Sequence, residues 1–200
     1  MENMDEIIIN FCPTGMVPTK THNPSIPLQP NEIVEQTVEA YELGITIVHL
    51  HARDPSGNPS YQKNIYEKIF NGIRQYCPEL VICASCSGRI HPEFEYRSEV
   101  IELQPDICSL TLGSLNFKNV ASINSPEMIN QLIAKMIEYG VKPELECFDL
   151  GMIHYGLQLP KLQSTNEPNY WNIIFGNISG IQLNLASLSA AIGIIPDKDY

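Results

Sequence analysis

Apolar positions recur along this chain in two rhythms. Short runs whose side chains alternate in period two are followed by longer stretches with a period near 3.6. Residues 7–12 (IIINFC) are β-branched and predict a first strand. A loop rich in proline and threonine occupies residues 13–27. Gln29-Pro30-Asn31-Glu32 then opens a helix, with proline at its first position and an acid in its first turn. Ile33, Thr37, Ala40 and Tyr41 follow at helical spacing, and Gly44 supplies the stop. Residues 45–53 (ITIVHLHAR) predict a buried strand that ends in the turn Asp54-Pro55-Ser56-Gly57. Tyr66, Ile69, Phe70 and Ile73 make a second amphipathic helix, closed by Cys77-Pro78. Residues 80–85 (LVICAS) and 107–112 (ICSLTL) predict the third and fourth strands, with a short helix over 94–103 between them. Ser125-Pro126-Glu127 is a helix start with a serine cap. Met128, Leu132, Met136 and Tyr139 line one side of that helix, and Gly140 ends it. Residues 143–148 (PELECF) predict a fifth strand and 151–159 a weak helix. Residues 178–185 (ISGIQLNL) predict a sixth strand, with Gln182 and Asn184 alternating against Ile181, Leu183 and Leu185.

Strand-then-helix units at a spacing of about 30 residues are the grammar of a parallel sheet in an α/β protein. An open dinucleotide-binding sheet would carry a glycine-rich turn after an early strand. Here the turn after the first strand is Pro13-Thr14-Gly15, and no GxGxxG occurs. A TIM-type (β/α)8 barrel fits better, because the predicted strands turn polar at their carboxyl ends. The polar positions are Asn10, His49 and His51, Ser85 and Ser87, Ser109 and Thr111, Glu146, and Asn184. Barrel active sites are built at that rim. One such serine is ordinarily a turn residue, but the whole set falls repeatedly at the same end and points to a shared cavity. The chain has 200 residues, whereas a barrel of this kind needs about 250. The expectation is one barrel domain over residues 1–200 that stops after about six βα units, lacking its C-terminal strands. It is then either a fragment of a longer protein or a naturally shortened chain.

Composition narrows the partners. With 44% hydrophobic and 18% charged residues, the chain is globular rather than disordered. A net charge of −11 argues against nucleic acid or an anionic membrane. A local positive charge, from a metal and Arg53, still leaves room for an anionic small substrate. Six cysteines follow no disulfide framework. Cys83 and Cys86 are the nearest pair and fall inside a strand pattern, so the reading is free thiols in a reducing, cytoplasmic compartment. The opening MENMDEIIIN is acidic and lacks a long apolar run, so no signal peptide is expected. No run of about 18 apolar residues marks a membrane span.

On the second predicted strand, His49, His51 and Arg53 share one face, and Val48, Leu50 and Ala52 the other. Two imidazoles two residues apart can point into a common space and chelate one ion. Imidazole is a normal ligand for zinc and other first-row divalent metals. A single strand histidine is more often a satisfied core residue. The apolar lead-in and the abrupt turn favour the metal reading for this pair. Such a site also needs a third ligand and usually an open position. Arg53 is expected to pair with Asp54 or Glu146 rather than to touch substrate.

The strings VHLHARDPSGNPS, SLTLGSLNF and GVKPELECFDLG, with GMVPTK and NPSIPLQPNEI before them, resemble the β-keto acid cleavage enzymes. The best-known activity of that family is 3-keto-5-aminohexanoate cleavage. The resemblance runs through residues 7–185. It implies a (β/α)8 barrel enzyme that uses a divalent metal, usually zinc, and assembles as a homo-oligomer. The implied reaction joins a β-keto acid to an acyl-CoA co-substrate and cleaves the product, releasing acetoacetate and a new acyl-CoA. By this resemblance the metal histidines are His49 and His51. The strand-three serine is Ser85, in a segment where relatives often carry paired glycines and this chain has Ser87-Gly88. Gly88 is then the better-matched backbone contact for the substrate carboxylate. The strand-four hydroxyl is Ser109. The strand-five acid is Glu146, which either polarises groups near the metal or partners a histidine. An acidic residue that some members carry in the first loop, to hold a substrate amine, is replaced by Val17, which argues against an amino-substituted keto acid. The family's last-strand segment has an arginine, then a glutamate ligand followed by an aspartate, and it has no counterpart after Leu185.

Two other readings compete. Amidohydrolase-type barrels also place His-x-His at a strand end, but need further strand-end histidines. His22, His91 and His154 lie in loop or helix sequence. A catalytically incompetent homologue that acts only by binding is the third reading. Metal content separates it from the enzyme, which should hold about one ion per chain.

Overall fold

Strand and helix alternate much as the hydrophobic rhythm predicts. The structure, a computed structural model, describes residues 7–163 and 168–199. Residues 1–6, on which the reading of the amino terminus partly rests, lie outside that set. Two compact units are described in turn, Met1–Ser85 and Cys86–Tyr200.

The first unit contains β1 (Asn10–Phe11), α1 (Pro30–Glu42), β2 (Ile47–Leu50), β3 (Ala52–Arg53), β4 (Pro59–Ser60), α2 (Lys63–Tyr76) and β5 (Val81–Ala84). β1, β2 and β5 lie side by side in that order, all parallel. The register sets Asn10 opposite Ile47 and His49 opposite Cys83. Val48, Leu50, Ile82 and Ala84 share the opposite face and are buried, as are Ile33 of α1 and Ile65, Ile69 and Ile73 of α2. Burying each large aliphatic side chain contributes roughly 1.5–3 kcal/mol. Gly44, at φ 100°, ends α1 in the left-handed region where a side chain would be strained. The predicted first strand shortens to two residues, although Ile9 still accepts from the backbone of Thr46 and Ile47.

The second unit contains α3 (Phe94–Ser98), continued by a 3-10 turn (Glu99–Leu103), then β6 (Ile107–Thr111), β7 (Leu115–Asn116) and β8 (Ala121–Ser122). There follow α4 (Pro126–Glu138), β9 (Lys142–Cys147), α5 (Leu150–Leu157), α6 (Pro160–Gln163), β10 (Tyr170–Ile173), α7 (Leu185–Ile192) and a 3-10 turn (Asp197–Asp199). β6, β9 and β10 are parallel neighbours. The Ser125 side chain accepts from the Met128 N–H, as the sequence predicts for the start of α4. The buried stripe of α4 is Ile129, Leu132, Ile133 and Met136. It is therefore rotated from the predicted one, since Met128 and Tyr139 stay partly exposed.

The sixth strand is misplaced by the sequence reading. Residues 178–184 form no strand, Leu185 opens α7, and the parallel strand is β10, at Tyr170–Ile173. Asn184 is a helix cap: its Oδ1 accepts from the Ser187 N–H at 2.9 Å and starts α7. Leu183 and Leu185, which mimic strand alternation, are exposed.

Candidate active site

In the first unit the site grows from the end of β2. The ladder lapses at His51, between β2 and β3. The His49 and His51 rings stand 5.0 Å apart between centroids, tilted by 37°. They share a space rather than diverging. His49 is buried. Its Nδ1 lies 3.6 Å from the Sγ of Cys83, the residue opposite it on β5. Sequence reasoning left Cys83 among the free thiols. Its signal was its position two residues before Ser85, hence on the same strand face. Ser85 is half-buried, and its backbone N–H donates to the Leu50 carbonyl at 3.0 Å.

Arg53 has the structural role expected of it, through different partners. It is buried. Its guanidinium donates to the carbonyls of Gly57 and Pro18, each at 3.1 Å, and to that of Gly15. It fastens the first loop instead of pairing with Asp54. Asp54 serves its own turn, accepting from the N–H groups of Ser56 and Asn58 at 2.8 and 2.9 Å. Those bonds, led by the Asn58 backbone, lower the Asp54 pKa. Burial lowers that of Arg53.

In the second unit, register puts a row of polar groups on one face. Ser109 and Thr111 lie opposite Glu144 and Glu146, and Asn172 lies opposite Glu146. The Thr111 hydroxyl donates to Glu146 Oε2 at 2.6 Å. Glu144 is fully buried and accepts from Asn172 Nδ2 at 2.9 Å. Ser109 Oγ accepts from the Cys86 N–H at 3.0 Å, which keeps the serine proton for another acceptor. Gly88 lies against Arg97: a Cβ there would stand 2.8 Å from Nη1 and 2.9 Å from Cζ. Arg97 is itself buried and donates to the Cys86 carbonyl at 2.9 Å and to Asn124 Oδ1 at 2.7 Å. Burial pulls its pKa down, while Cys86 and Glu146 act the other way. Arg89 stacks 3.4 Å above the Phe117 ring. Burial also lowers its pKa, again opposed by Glu146. The two arginines were not singled out from sequence. An arginine inside the short predicted helix 94–103 was the available signal for Arg97.

The other histidines do not join a strand-end cluster in the described residues. His22 is exposed, with its Nδ1 2.9 Å from Thr19 Oγ1. His91 packs edge-on to Tyr96, and His154 is exposed in the last turn of α5. The amidohydrolase arrangement therefore finds no support. Among the described residues no helix is long and apolar enough to cross a membrane.

Comparison with known proteins agrees with the motif reading. The chain is 33% identical over 196 residues to a 3-keto-5-aminohexanoate cleavage enzyme of Acetoanaerobium sticklandii, covering 98% of this chain and 72% of that protein. It is 39% identical over 146 residues to a 3-oxoadipate:acetyl-CoA acetyltransferase of Cupriavidus necator, covering 73% of this chain and 51% of that protein. Among solved structures, the ternary complex of ObcA with a C4-CoA adduct and oxalate matches with a TM-score of 0.72 at 20% identity. That match covers 82% of this chain and 40% of the ObcA chain. At that identity the likeness establishes the fold, an α/β chain of the TIM-barrel type. Residues 6–198 match the family described as beta-keto acid cleavage enzyme, and the chain belongs to that family.

Proposed function

We propose that this protein condenses a β-keto acid with acetyl-CoA and cleaves the product, releasing acetoacetate and a new acyl-CoA, with a divalent metal held by His49 and His51. The observation that carries the metal reading is the imidazole pair. Two rings that each give one nitrogen to a tetrahedral ion have centroids about 5 Å apart. The separation of His49 and His51 is 5.0 Å, so the pair fits the group. Nitrogen donors suit zinc, the ion we assign. When bound, it supplies Lewis-acid polarisation of the β-keto oxygen.

The remaining roles belong to the chain itself. Ser85 and Ser109 donate hydroxyl protons, and Gly88 its backbone N–H, to the substrate carboxylate and carbonyl. Glu146 is the catalytic carboxylate that orients and polarises the reacting groups. The hydrogen bond from Thr111 supports this by holding Glu146 in one rotamer. Val17 in the first loop supports a keto acid without an amine. The 3-oxoadipate acetyltransferase of Cupriavidus necator, whose named substrate has no amine, supports the same choice. The six free cysteines support a reducing, cytoplasmic setting. We assign a homo-oligomeric assembly, which gel filtration of the full-length protein tests.

The deciding assay supplies the full-length protein with an amine-free β-keto acid and acetyl-CoA and measures acetoacetate. His49→Ala should lower turnover by at least roughly a thousandfold, since metal polarisation supplies several kcal/mol. Unchanged turnover in that variant would refute the proposal.

A further inference from the structure

Four arginines occur in the chain, and three of them serve the fold. Arg53 and Arg97 donate to carbonyl and amide oxygens of neighbouring loops, and Arg74 donates to the carbonyls of Pro78 and Leu80. Arg89 differs. It is half-buried, its Nε is buried without a partner, and its side chain makes no hydrogen bond among the described residues. It is nonetheless held in place. Its Cζ lies 3.4 Å from the centroid of the Phe117 ring, so the guanidinium must lie flat, since any tilt would drive a nitrogen into the ring. Phe117 is fixed in turn: its N–H donates to the Val120 carbonyl at 2.9 Å, and its ring meets Phe148 edge-on, at 5.7 Å and 88°. A guanidinium lying flat keeps its N–H edge available to a ligand in its own plane. Burial lowers the Arg89 pKa and the Glu146 carboxylate raises it, so the cation lies within the field of the proposed catalytic acid. Its neighbour in the chain is Gly88, whose N–H is proposed to hold the substrate carboxylate.

We propose that Arg89 is a specificity-determining residue that binds a second carboxylate, at the far end of the keto acid, so that this enzyme acts on dicarboxylic β-keto acids. The inference rests on the β-keto acid reading above and names the substrate class of the same site. A half-buried guanidinium without a protein partner has given up water and gained only the ring in return. A carboxylate meets its planar donors with two parallel bonds. The Phe117 stack holds a flexible side chain in one pose before the ligand arrives, which lowers the entropy cost of binding. The anion is a second one because the first carboxylate already has its proposed donors, the Gly88 N–H and the Ser109 hydroxyl among them. After exchange with acetyl-CoA the far carboxylate stays on the new acyl-CoA, and acetoacetate keeps only the first.

The test compares two keto acids of equal length, 3-oxohexanedioate and 3-oxohexanoate, which end in a carboxylate and a methyl group respectively. Full-length protein supplied with acetyl-CoA should use the dicarboxylate with a kcat/KM at least about tenfold higher. Arg89→Gln should cut that preference roughly thirtyfold, chiefly by raising KM for the dicarboxylate, because a charge-assisted pair is lost. Arg89→Lys keeps the charge but not the planar fork, and should recover part of the preference. Wild type gives a reading that needs no variant: glutarate should inhibit turnover of 3-oxohexanoate at lower concentration than pentanoate does. If Arg89→Gln slows both substrates equally, Arg89 acts through Glu146 or the shared carboxylate, and the proposal fails. If the variant instead raises KM for acetyl-CoA alone, the guanidinium holds a phosphate of the coenzyme, and the proposal fails as well. Equal kcat/KM for the two substrates in wild type overturns the role of Arg89 and leaves the β-keto acid reading standing. Acetoacetate from neither overturns both.

Discussion

At the scale of single residues, Gly88 and Arg97 show how a backbone contact is kept available. Arg97 is a buried cation whose donors are spread over the Cys86 carbonyl, the Ile123 carbonyl at 3.3 Å and Asn124 Oδ1. Asn124 in turn donates to the Gly113 carbonyl at 3.0 Å, so one guanidinium ties together the loops around Gly88, Gly113 and Asn124. There is no room for a methyl group between Gly88 and that guanidinium. Gly88→Ala must push Arg97 off its partners, and overpacking of this sort costs about 1–3 kcal/mol. The Gly88 N–H is also proposed to hold the substrate carboxylate. The same variant should therefore raise KM for the keto acid more than it lowers kcat. Urea denaturation and steady-state kinetics read the two effects. A variant with wild-type stability and KM would remove Gly88 from the site.

At the scale of elements, the first loop is fastened to α1. Lys20 donates to Glu32 Oε1, Gln36 Nε2 donates to the Ser25 carbonyl at 2.6 Å, and Glu32 Oε2 accepts from the N–H groups of Leu28 and Gln29 at 2.9 and 3.0 Å. The Lys20 hydrogen bond, followed by those backbone bonds, holds the Glu32 pKa at about 2, against a usual 4.5. Because the folded-state pKa is the lower one, this contribution is full above about pH 4.5 and disappears as pH falls to about 2. Wild type should exceed Glu32→Gln in stability by about 0.5–1 kcal/mol at pH 7, as the pair is largely solvated. The difference should shrink below pH 4.5, and urea melts across that range check it. A gap that stays constant down to pH 2 would contradict the ion-pair account. Elements with strong local chemistry, such as the Pro30 and Pro126 helix starts and the β2 run into His49, were legible in the sequence. Residues 178–185 were not, because Ile181, Leu183 and Leu185 alternate like a strand while Asn184 acts as a helix cap. Local alternation cannot show whether an apolar residue finds a partner, and Leu183 and Leu185 stay exposed. Cys83, beside His49, was missed for a related reason: that proximity comes from pairing across two strands, and register is not written in either strand alone.

At the scale of the whole molecule, a net charge of −11 opposes any anionic substrate. The proposed ion at His49 and His51 counters that field locally. An ion bound only by the folded chain must also stabilise it, by RT ln(1 + [L]/Kd). With free Zn2+ at one hundred times Kd, the gain should be about 2.7 kcal/mol. His49→Ala should abolish the gain, because the remaining donors cannot complete the chelate. The measurement is urea unfolding followed by far-UV circular dichroism at buffered free zinc. Trp171, the single tryptophan, controls for misfolding, since its indole N–H donates to Asp199 Oδ2 at 2.8 Å and its fluorescence reports that environment. In His49→Ala the fluorescence should remain native while the zinc dependence disappears. Wild type whose unfolding midpoint does not move with zinc would show that the imidazole pair holds no ion in the folded state.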